Sequence, residues 1–233
     1  MHMAAKIKDG LNGLASLIVV VSALLFCLYP AVILGLLLTD SELRQRGQSR
    51  LVTMWFESVT NRYQSWADAY TKSGYARNVD TQNVAATEWP MFGSVFFLVT
   101  ADELQRQGAI NAQKPALRRA IQAAAEVVAS PETATWVRGK WGDAYLKKEN
   151  VFYRMLLILG FSSYERLTGD LRYRAAMSEQ RKGLAAELAQ AKLHVLDDYP
   201  GECWPNDVLW SVAAIQRAAQ LEGTNHNDLV KVF

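Results

Sequence analysis

The sequence predicts an all-α protein that begins with a transmembrane helix, and three observations carry this prediction. The first is an uncharged, apolar run from Leu11 to Leu38. The second is that apolar residues after this run recur with helical spacing, while no segment alternates as a strand would. The third is a glycine shortly after several periodic segments, where helices commonly end. With 233 residues, half of them hydrophobic, the chain is long enough for a helical domain with a buried core.

The apolar run 11–38 is long enough to cross a bilayer, since about 20 residues span the hydrocarbon core. The apolar region of a signal peptide has only about 7 to 15 residues, so the length favours an uncleaved anchor. Basic residues flank the run on both sides, and the charge bias therefore does not decide its orientation. We expect a tail at 1–10, a single-pass membrane anchor at 11–38 and a helical domain at 39–233, which we place in the periplasm.

Helical spacing divides the rest of the chain into helices joined by links of two lengths. Short links contain Gly108, Gly169 and Gly223, as expected for tight helical hairpins. Since every second link of an antiparallel helix series returns to the same end, we expect the long links to meet on one face. This pattern is typical of an α/α toroid, and an ordinary helical bundle with long loops fits it as well. The predicted helices are 43–73, 87–107, 115–129, 149–168, 171–191, 206–221 and a last piece from about 226, and the long links are 74–86, 130–148 and 192–205.

The first long link leads into a helix whose entrance carries Glu88 and Trp89. Thr87 is the predicted N-cap, with Pro90 in the first turn. An ordinary start of a buried helix explains this segment well, and Glu88 is a weaker pocket candidate than the acids of the later links.

The second long link combines aromatic and acidic residues before an apolar helix. Such a combination suits a cleft that holds an apolar or sugar-like body and performs proton chemistry. The alternative interpretation makes Asp143 a turn residue and Glu149 an acid in the first turn of the helix, favoured by the helix dipole. The candidate residues are Trp136, Trp141, Asp143, Tyr145, Glu149 and Asn150.

The third long link gathers several acids, a thiol and an indole before a helix that Asn206 or Asp207 caps in the prediction, with Pro205 just ahead of it. Cys203 is a candidate nucleophile or acid–base thiol, although a lone cysteine is as often inert and buried. The residues of interest are Asp197, Asp198, Tyr199, Glu202, Cys203, Trp204, Asn206 and Asp207.

Composition and spacing exclude several classes of function. The 25 basic and 23 acidic residues nearly cancel, which argues against a nucleic-acid partner. His2, His194 and His226 lack metal-ligand spacing, so we expect no metal site. The sequence has no glycine-rich phosphate loop and no nucleophile elbow, and we expect no cofactor. Cys27 lies in the apolar run and Cys203 outside it, which makes a disulfide between them implausible.

From about residue 136 to the C-terminus, the chain resembles the linalool dehydratase/isomerase family. This resemblance implies an α/α toroid that acts on small hydroxylated, terpene-like molecules, with Cys203 at an active-site cysteine and Glu149, Asn150 and Tyr153 at the start of a pocket-lining helix. The chain departs from the family at Leu156 and Val212, which stand where the family has a catalytic histidine and a second cysteine. The similar residues are Glu149, Asn150, Tyr153 and the apolar run to Leu159, Thr168-Gly169, Arg172-Tyr173, Cys203, Pro205 and Gly223-Thr224.

The resemblance and the links together predict a membrane-anchored protein with lyase- or isomerase-like chemistry on a small, largely apolar, hydroxylated substrate. A glycan-active or glycan-binding envelope protein is the first alternative, with Asp143, Asp198 and Asp207 as its acids. A non-enzymatic membrane subunit is the second. A full toroid of this family has about twelve helices and seven are predicted here, so we expect either that the chain is a fragment or that a partner chain or a second copy completes the toroid. The predicted catalytic residues are Cys203, Glu149, Asp143 and Asp207, and the predicted substrate-binding residues are Trp141, Asn150, Tyr153, Trp204 and Asn206.

Overall fold

The computed structural model describes residues 2–44, 49–80 and 83–224, and in this part of the chain the protein is all-α. It forms two compact units, Met1–Val52 and Thr53–Phe233. The predicted segment from about 226 lies outside the described residues. The helices are α1 (His2–Ala23), α2 (Tyr29–Thr39), α3 (Ser41–Arg44), α4 (Arg50–Ser73), α5 (Val84–Arg106), α6 (Pro115–Ala129), α7 (Thr135–Trp141), α8 (Val151–Thr168), α9 (Arg174–Gln190) and α10 (Pro205–Leu221).

The N-terminal unit contains a helix that is long and apolar enough to cross a membrane, Leu11–Thr39, with a mean hydropathy of 2.8 and no buried side chains. Helix α1 already begins at His2, so the segment predicted as a tail at 1–10 is helical from its second residue. A π-helical turn, Leu24–Leu28, joins α1 to α2 just before Pro30. Proline lacks an N–H group and clashes with the carbonyl four residues earlier, and a widened turn accommodates both defects.

The second unit is built around α8, in which all but three of its 18 residues are buried. Helices α5 and α10 both pack against α8, and Arg217 of α10 also contacts Asp102 of α5. Helix α6 packs against α5 and α8, and α9 packs against α8 and α10, so the five helices form two layers. Gly160 permits a close approach, because a Cβ atom there would lie 3.1 Å from a methyl group of Val128. Toroids and open helix arrays share this layering, and the toroid remains a prediction.

Helix α4 joins this unit through stacked aromatic rings. The rings of Tyr63 and Phe97 lie 4.5 Å apart and those of Phe56 and Phe97 lie 5.3 Å apart. Tyr63 also donates a hydrogen bond to Ser94 Oγ on α5. Aromatic pairs at these distances stabilise beyond their buried area, so α4 belongs to the folded unit.

The six predicted helices that fall among the described residues are present, and α6 begins where it was predicted. Helix α4 begins at Arg50 instead of 43 and α9 at Arg174 instead of 171, and the starts of α5, α10 and α8 also differ from the prediction. Asn83 caps α5 by accepting a hydrogen bond from the Ala86 N–H, so Thr87 is not the N-cap and Pro90 lies inside the helix. Helix α10 begins at Pro205, at the first helical position that suits proline, so neither Asn206 nor Asp207 is its N-cap.

The third start concerns Glu149, which precedes α8 instead of lying in its first turn, because Asn150 at the N-cap position adopts a left-handed backbone with φ of 31°. The short helix α7 was not predicted, and it occupies part of the second long link.

The short links end their helices as predicted, since Gly108, Gly169 and Gly223 have φ of 75°, 71° and 67°. Arginines pair with buried acids at this end of the unit, where Arg166 and Arg217 both contact Asp102. The same end contains the pairs Arg174–Glu165 and Arg181–Glu222.

The three long links meet at the opposite end, which confirms the predicted gathering. Arg77 of the first link pairs with Glu132 of the second. Trp141 Nε1 of the second link donates to the Asp198 carbonyl of the third, at 3.1 Å. Tyr199 of the third link donates to Glu88 in α5, just after the first link.

Candidate active site

The third long link is fixed to the start of α8 through Asp197. Its N–H donates to Glu149 Oε2 at 2.8 Å, and its carbonyl accepts from the Val151 N–H at 3.0 Å. Its carboxylate accepts from the Gly201 N–H at 2.7 Å, which closes the turn. These three hydrogen bonds hold Asp197 and the turn that follows it against the start of α8.

Asp198 follows directly and is only 2% exposed. Its Oδ2 accepts from the Trp204 N–H at 2.8 Å, while Oδ1 accepts no hydrogen bond of ordinary geometry in the described part of the chain. Burial, followed by the charges of Asp207 and Asp197, raises the pKa of this carboxyl to about 7, although the N–H groups of Trp204 and Phe152 lower it in part. A carboxyl with this pKa can both give and take a proton near neutral pH.

Glu88 and Asp207 complete a group of three acids with Asp198. Burial raises the pKa of Glu88, the hydrogen bond from Tyr199 lowers it in part, and the charge of Asp207 raises it further. Burial alone raises the pKa of Asp207. Burial and the contact with Glu88 raise the pKa of Tyr199 as well, so this phenol stays protonated. All three carboxyls therefore favour the neutral form more than an exposed acid does.

Aromatic rings connect these acids into one surface. Phe92 is one helical turn from Glu88, and its ring lies 4.4 Å from that of Phe96 and 6.1 Å from that of Phe152. The ring of Trp210, three residues after Asp207, lies 5.7 Å from that of Phe96.

Trp136 connects these rings to the third long link, because its ring lies 6.5 Å from that of Phe152 and 6.0 Å from that of Tyr199. Tyr199 in turn contacts Glu88. We call this surface the acid–aromatic face and define it by Glu88, Asp198 and Asp207 with Phe92, Phe96, Phe152 and Trp210. The face combines proton-transfer groups with an apolar platform.

Of the four predicted catalytic residues, Asp207 lies on this face. Cys203 is exposed as a residue. Its thiol is nevertheless desolvated by the protein around it, and this desolvation, together with the charges of the four acids nearby, raises the pKa of the thiol; the acids are Asp198, Asp197, Glu149 and Asp207. The thiol is thus protonated at neutral pH, which disfavours a thiolate nucleophile. Glu149 is exposed and accepts the Asp197 N–H, so it holds the third link in place. Asp143 is exposed in the turn that follows α7.

The predicted substrate-binding residues fall into two groups. Trp204 and Asn206 are exposed at the start of α10, and Trp141 is half-buried against the third link. Asn150 and Tyr153 are buried, where Asn150 Nδ2 donates to the Tyr145 carbonyl at 3.1 Å and the Tyr153 ring packs on Tyr145 at 5.6 Å. These two buried side chains support the backbone beneath the acid–aromatic face.

Sequence reasoning underrated Asp198 and Glu88 and did not single out Phe92, Phe152 or Trp210. Asp198 was predicted only for the glycan alternative, because spacing does not show which acid of a loop is buried. The one-turn spacing of Glu88 and Phe92, repeated by Asp207 and Trp210, was the available signal. It indicates an acid and a ring on the same side of each helix.

Arg154 connects the face to the outer layer. Its guanidinium is 1% exposed and donates to the Lys148 carbonyl at 2.6 Å, to Gln180 Oε1 at 2.9 Å and to Glu187 Oε2 at 2.6 Å. Gln180 and Glu187 belong to α9, so a helix of the other layer secures the backbone just before Glu149. The positions of Asp197 and Asp198 therefore depend on this arginine.

A cavity of about 200 Å³ lies away from the face, between α4 and the link from α5 to α6. Among the residues that line it are Phe56, Thr60, Ile110, Asn111 and Leu117. It contains none of the residues that define the acid–aromatic face. Within the described ranges, no three His, Cys, Asp or Glu side chains converge as metal ligands.

No family model, curated protein or solved structure matches this chain.

Proposed function

We propose that this protein is a membrane-anchored enzyme of the linalool dehydratase/isomerase-like type. Its substrate would be a small, largely apolar, hydroxylated molecule bound at the acid–aromatic face. The observation that best supports this proposal is the grouping of three carboxyls of raised pKa with a platform of aromatic rings. The apolar helix Leu11–Thr39 would hold the enzyme in the membrane.

The proposed reaction is the elimination of water. Asp198 donates its proton to the substrate hydroxyl, the C–O bond breaks and water leaves. Asp207 or Glu88, in the carboxylate form, accepts a proton from the neighbouring carbon, and a double bond forms. Asp198 suits the first role because its pKa of about 7 leaves it partly protonated at neutral pH. The rings of Phe92, Phe152 and Trp210 would exclude water around the apolar part of the substrate.

The test uses the full chain in detergent micelles with a panel of terpene-like alcohols, and gas chromatography detects the alkene products. We expect Asp198→Asn to lower turnover by about 100-fold or more, since a positioned acid contributes that much. Glu179→Gln removes an exposed acid from α9 and serves as the matched control, with unchanged turnover. The proposal fails if Asp198→Asn and Asp207→Asn both keep the full rate.

A glycan substrate is the second candidate, favoured by the exposure of Trp89 (66%) and Trp204 (59%) next to the acids. Open indole rings can stack on sugar rings, and paired carboxyls hydrolyse glycosidic bonds. Binding of an oligosaccharide panel to the full chain distinguishes this candidate. Saturable binding that Trp204→Ala abolishes supports it, and no binding across the panel eliminates it.

A further inference from the structure

We infer that the ligand of the acid–aromatic face carries a positive charge and is an organic ammonium ion with a hydroxyl group. This inference rests on the proposed function and narrows its substrate class. It follows from the charges, the rings and the buried polar atoms that meet on the face.

The three carboxyls of this face have no basic partner in the described part of the chain. None of the ion pairs there involves Glu88, Asp198 or Asp207. The opposite end of the unit differs, because Asp102 and Glu165 each contact arginine there. Acids in a folded protein are usually compensated when they lose contact with water. We therefore expect a cation that is not part of the described chain to compensate the three acids of the face.

The rings of the face favour an organic cation. Aromatic faces attract ammonium groups within about 6 Å of their centroids, and tryptophan does so best. Trp210 and Phe92 lie on helices that flank α8, and each follows an acid by about one turn. Trp89 and Trp204 add open indoles at the edge. Both α5 and α10 thus contribute an acid and an aromatic ring to the acid–aromatic face.

Two buried polar atoms beside the face make no hydrogen bond of ordinary geometry with the described residues, although the Trp204 and Phe152 N–H groups act on the Asp198 carboxyl, and both atoms point to a ligand there. Asp198 Oδ1 accepts no hydrogen bond of ordinary geometry, although the residue is 2% exposed. The indole N–H of Trp136, which is 5% exposed and packs against Tyr199 and Phe152, donates none. A hydroxylated ammonium ion could satisfy both, with its charge on the acid and its oxygen on the indole N–H. A metal ion fits less well, because the described acids do not converge as ligands.

Cation binding would also change the protonation of the face. A bound positive charge favours the ionised form of a nearby carboxyl, so binding releases protons where the free acid is still protonated. Affinity should therefore rise with pH toward and through neutrality. A neutral ligand would show no such coupling.

The experiment compares two soluble probes of equal shape: choline and its uncharged carbon isostere, 3,3-dimethylbutan-1-ol. Both carry the hydroxyl, and only choline carries the charge. Isothermal titration of the full chain in dodecyl maltoside should show that choline binds at least about tenfold more tightly, as expected when a charge is recognised in a desolvated site. The double variant Glu88→Gln with Asp207→Asn should remove this preference, whereas Glu179→Gln should keep it.

Equal affinity for the two probes, or no saturable choline binding, would overturn the inference. Turnover of neutral alcohols without any choline preference would leave the proposed function intact while this inference fails. Choline preference without turnover of any alcohol would support the inference and contradict the proposed elimination. Competition by dihexanoylphosphatidylcholine, in which the choline oxygen is a phosphate ester, would assign the cation to a lipid headgroup and overturn the hydroxyl part of the inference. No competition would support a free hydroxylated ammonium ion.

Discussion

A carboxyl group loses most of its preference for the charged form once water is excluded and like charges approach, and Asp198 shows both causes. Its side chain is buried, Asp207 and Asp197 lie nearby, and a single backbone N–H compensates Oδ2. Tyr199 and Cys203 respond to the same surroundings, because burial and neighbouring acids raise the pKa of both groups. The site therefore combines one carboxyl, that of Asp198, which can release its proton near neutral pH, with a phenol and a thiol that stay protonated there.

The raised pKa of Asp198 predicts that stability falls as the pH rises. The folded protein retains the proton up to about pH 7, while the unfolded chain loses it near pH 4, so the stabilisation is complete below pH 4 and is lost through pH 7. Each unit of difference corresponds to about 1.4 kcal/mol. We expect Asp198→Asn, which cannot ionise, to flatten the dependence of the unfolding free energy between pH 5 and 8. Denaturant unfolding at several pH values measures it.

Glu179→Gln serves as the control for this titration, because it removes an exposed carboxyl of α9 outside the face. It should keep the dependence of the unmodified chain. An Asp198→Asn curve that coincides with that of the unmodified chain between pH 5 and 8 would show that Asp198 ionises as an ordinary acid.

The thiol of Cys203 should react slowly despite its exposure. The thiolate is the reactive form, and burial with four acidic neighbours disfavours it. In a Cys27→Ser background, we expect alkylation by iodoacetamide at pH 7.5 to be several-fold slower than that of free cysteine, with a rate that keeps rising above pH 9. Mass spectrometry follows the modified fraction. A rate that levels off below pH 7 would instead identify an activated thiolate.

Helix α8 is the element that brings the acids together, since its start anchors the third link and both α5 and α10 pack against its body. Its first turn would be free to fray if the preceding backbone were not fixed by Arg154. That arginine is buried and bonded to two residues of α9, so the outer layer contributes to the geometry of the inner one. The contact needs space on α9, and Gly183 provides it.

Gly183→Ala is therefore expected to destabilise the protein, although alanine is the better helix former. The new Cβ atom would lie 2.8 Å from Arg154 Nη2, which forces the guanidinium out of its bonds. We expect a loss of about 1–3 kcal/mol, the usual cost of overpacking. Gly93→Ala is the matched control on α5, since no atom lies within 4 Å of its Cβ position, and it should gain about 0.5–1 kcal/mol. Thermal unfolding in detergent compares the two, and equal shifts would show that Arg154 adapts without cost.

At the scale of the whole molecule, an apolar helical unit and a compact helical unit occur in one chain. The apolar helix Leu11–Thr39 buries none of its side chains against protein, as expected for a segment whose solvent is lipid. In the helical unit, Asp102 and Glu165 pair with arginines near the short links, whereas none of the ion pairs among the described residues involves the three acids of the acid–aromatic face.

Membrane attachment through this helix predicts resistance to alkaline carbonate. The full chain should stay in the membrane pellet at pH 11, and intact mass should show an N-terminus before Leu11. Replacing Leu25 and Leu28 by arginine costs about 2.5–3.5 kcal/mol for each residue near the bilayer centre and should shift the protein to the supernatant. Isoleucine at the same two positions is the control. An N-terminus beyond Leu38 would identify a cleaved signal peptide.

Local sequence patterns suffice to predict the all-α class, the apolar helix near the N-terminus, the ends of the helices to within one residue and the meeting of the three long links. These properties follow from local periodicity, from left-handed glycines such as Gly169, and from the geometry of antiparallel helices. Only the tertiary structure decided that Asp198 is buried while Cys203 is exposed, and that Glu149 serves as a hydrogen-bond acceptor for the Asp197 N–H. Burial and electrostatic coupling depend on residues far apart in sequence, so the spacing of acids in a loop does not encode their pKa values.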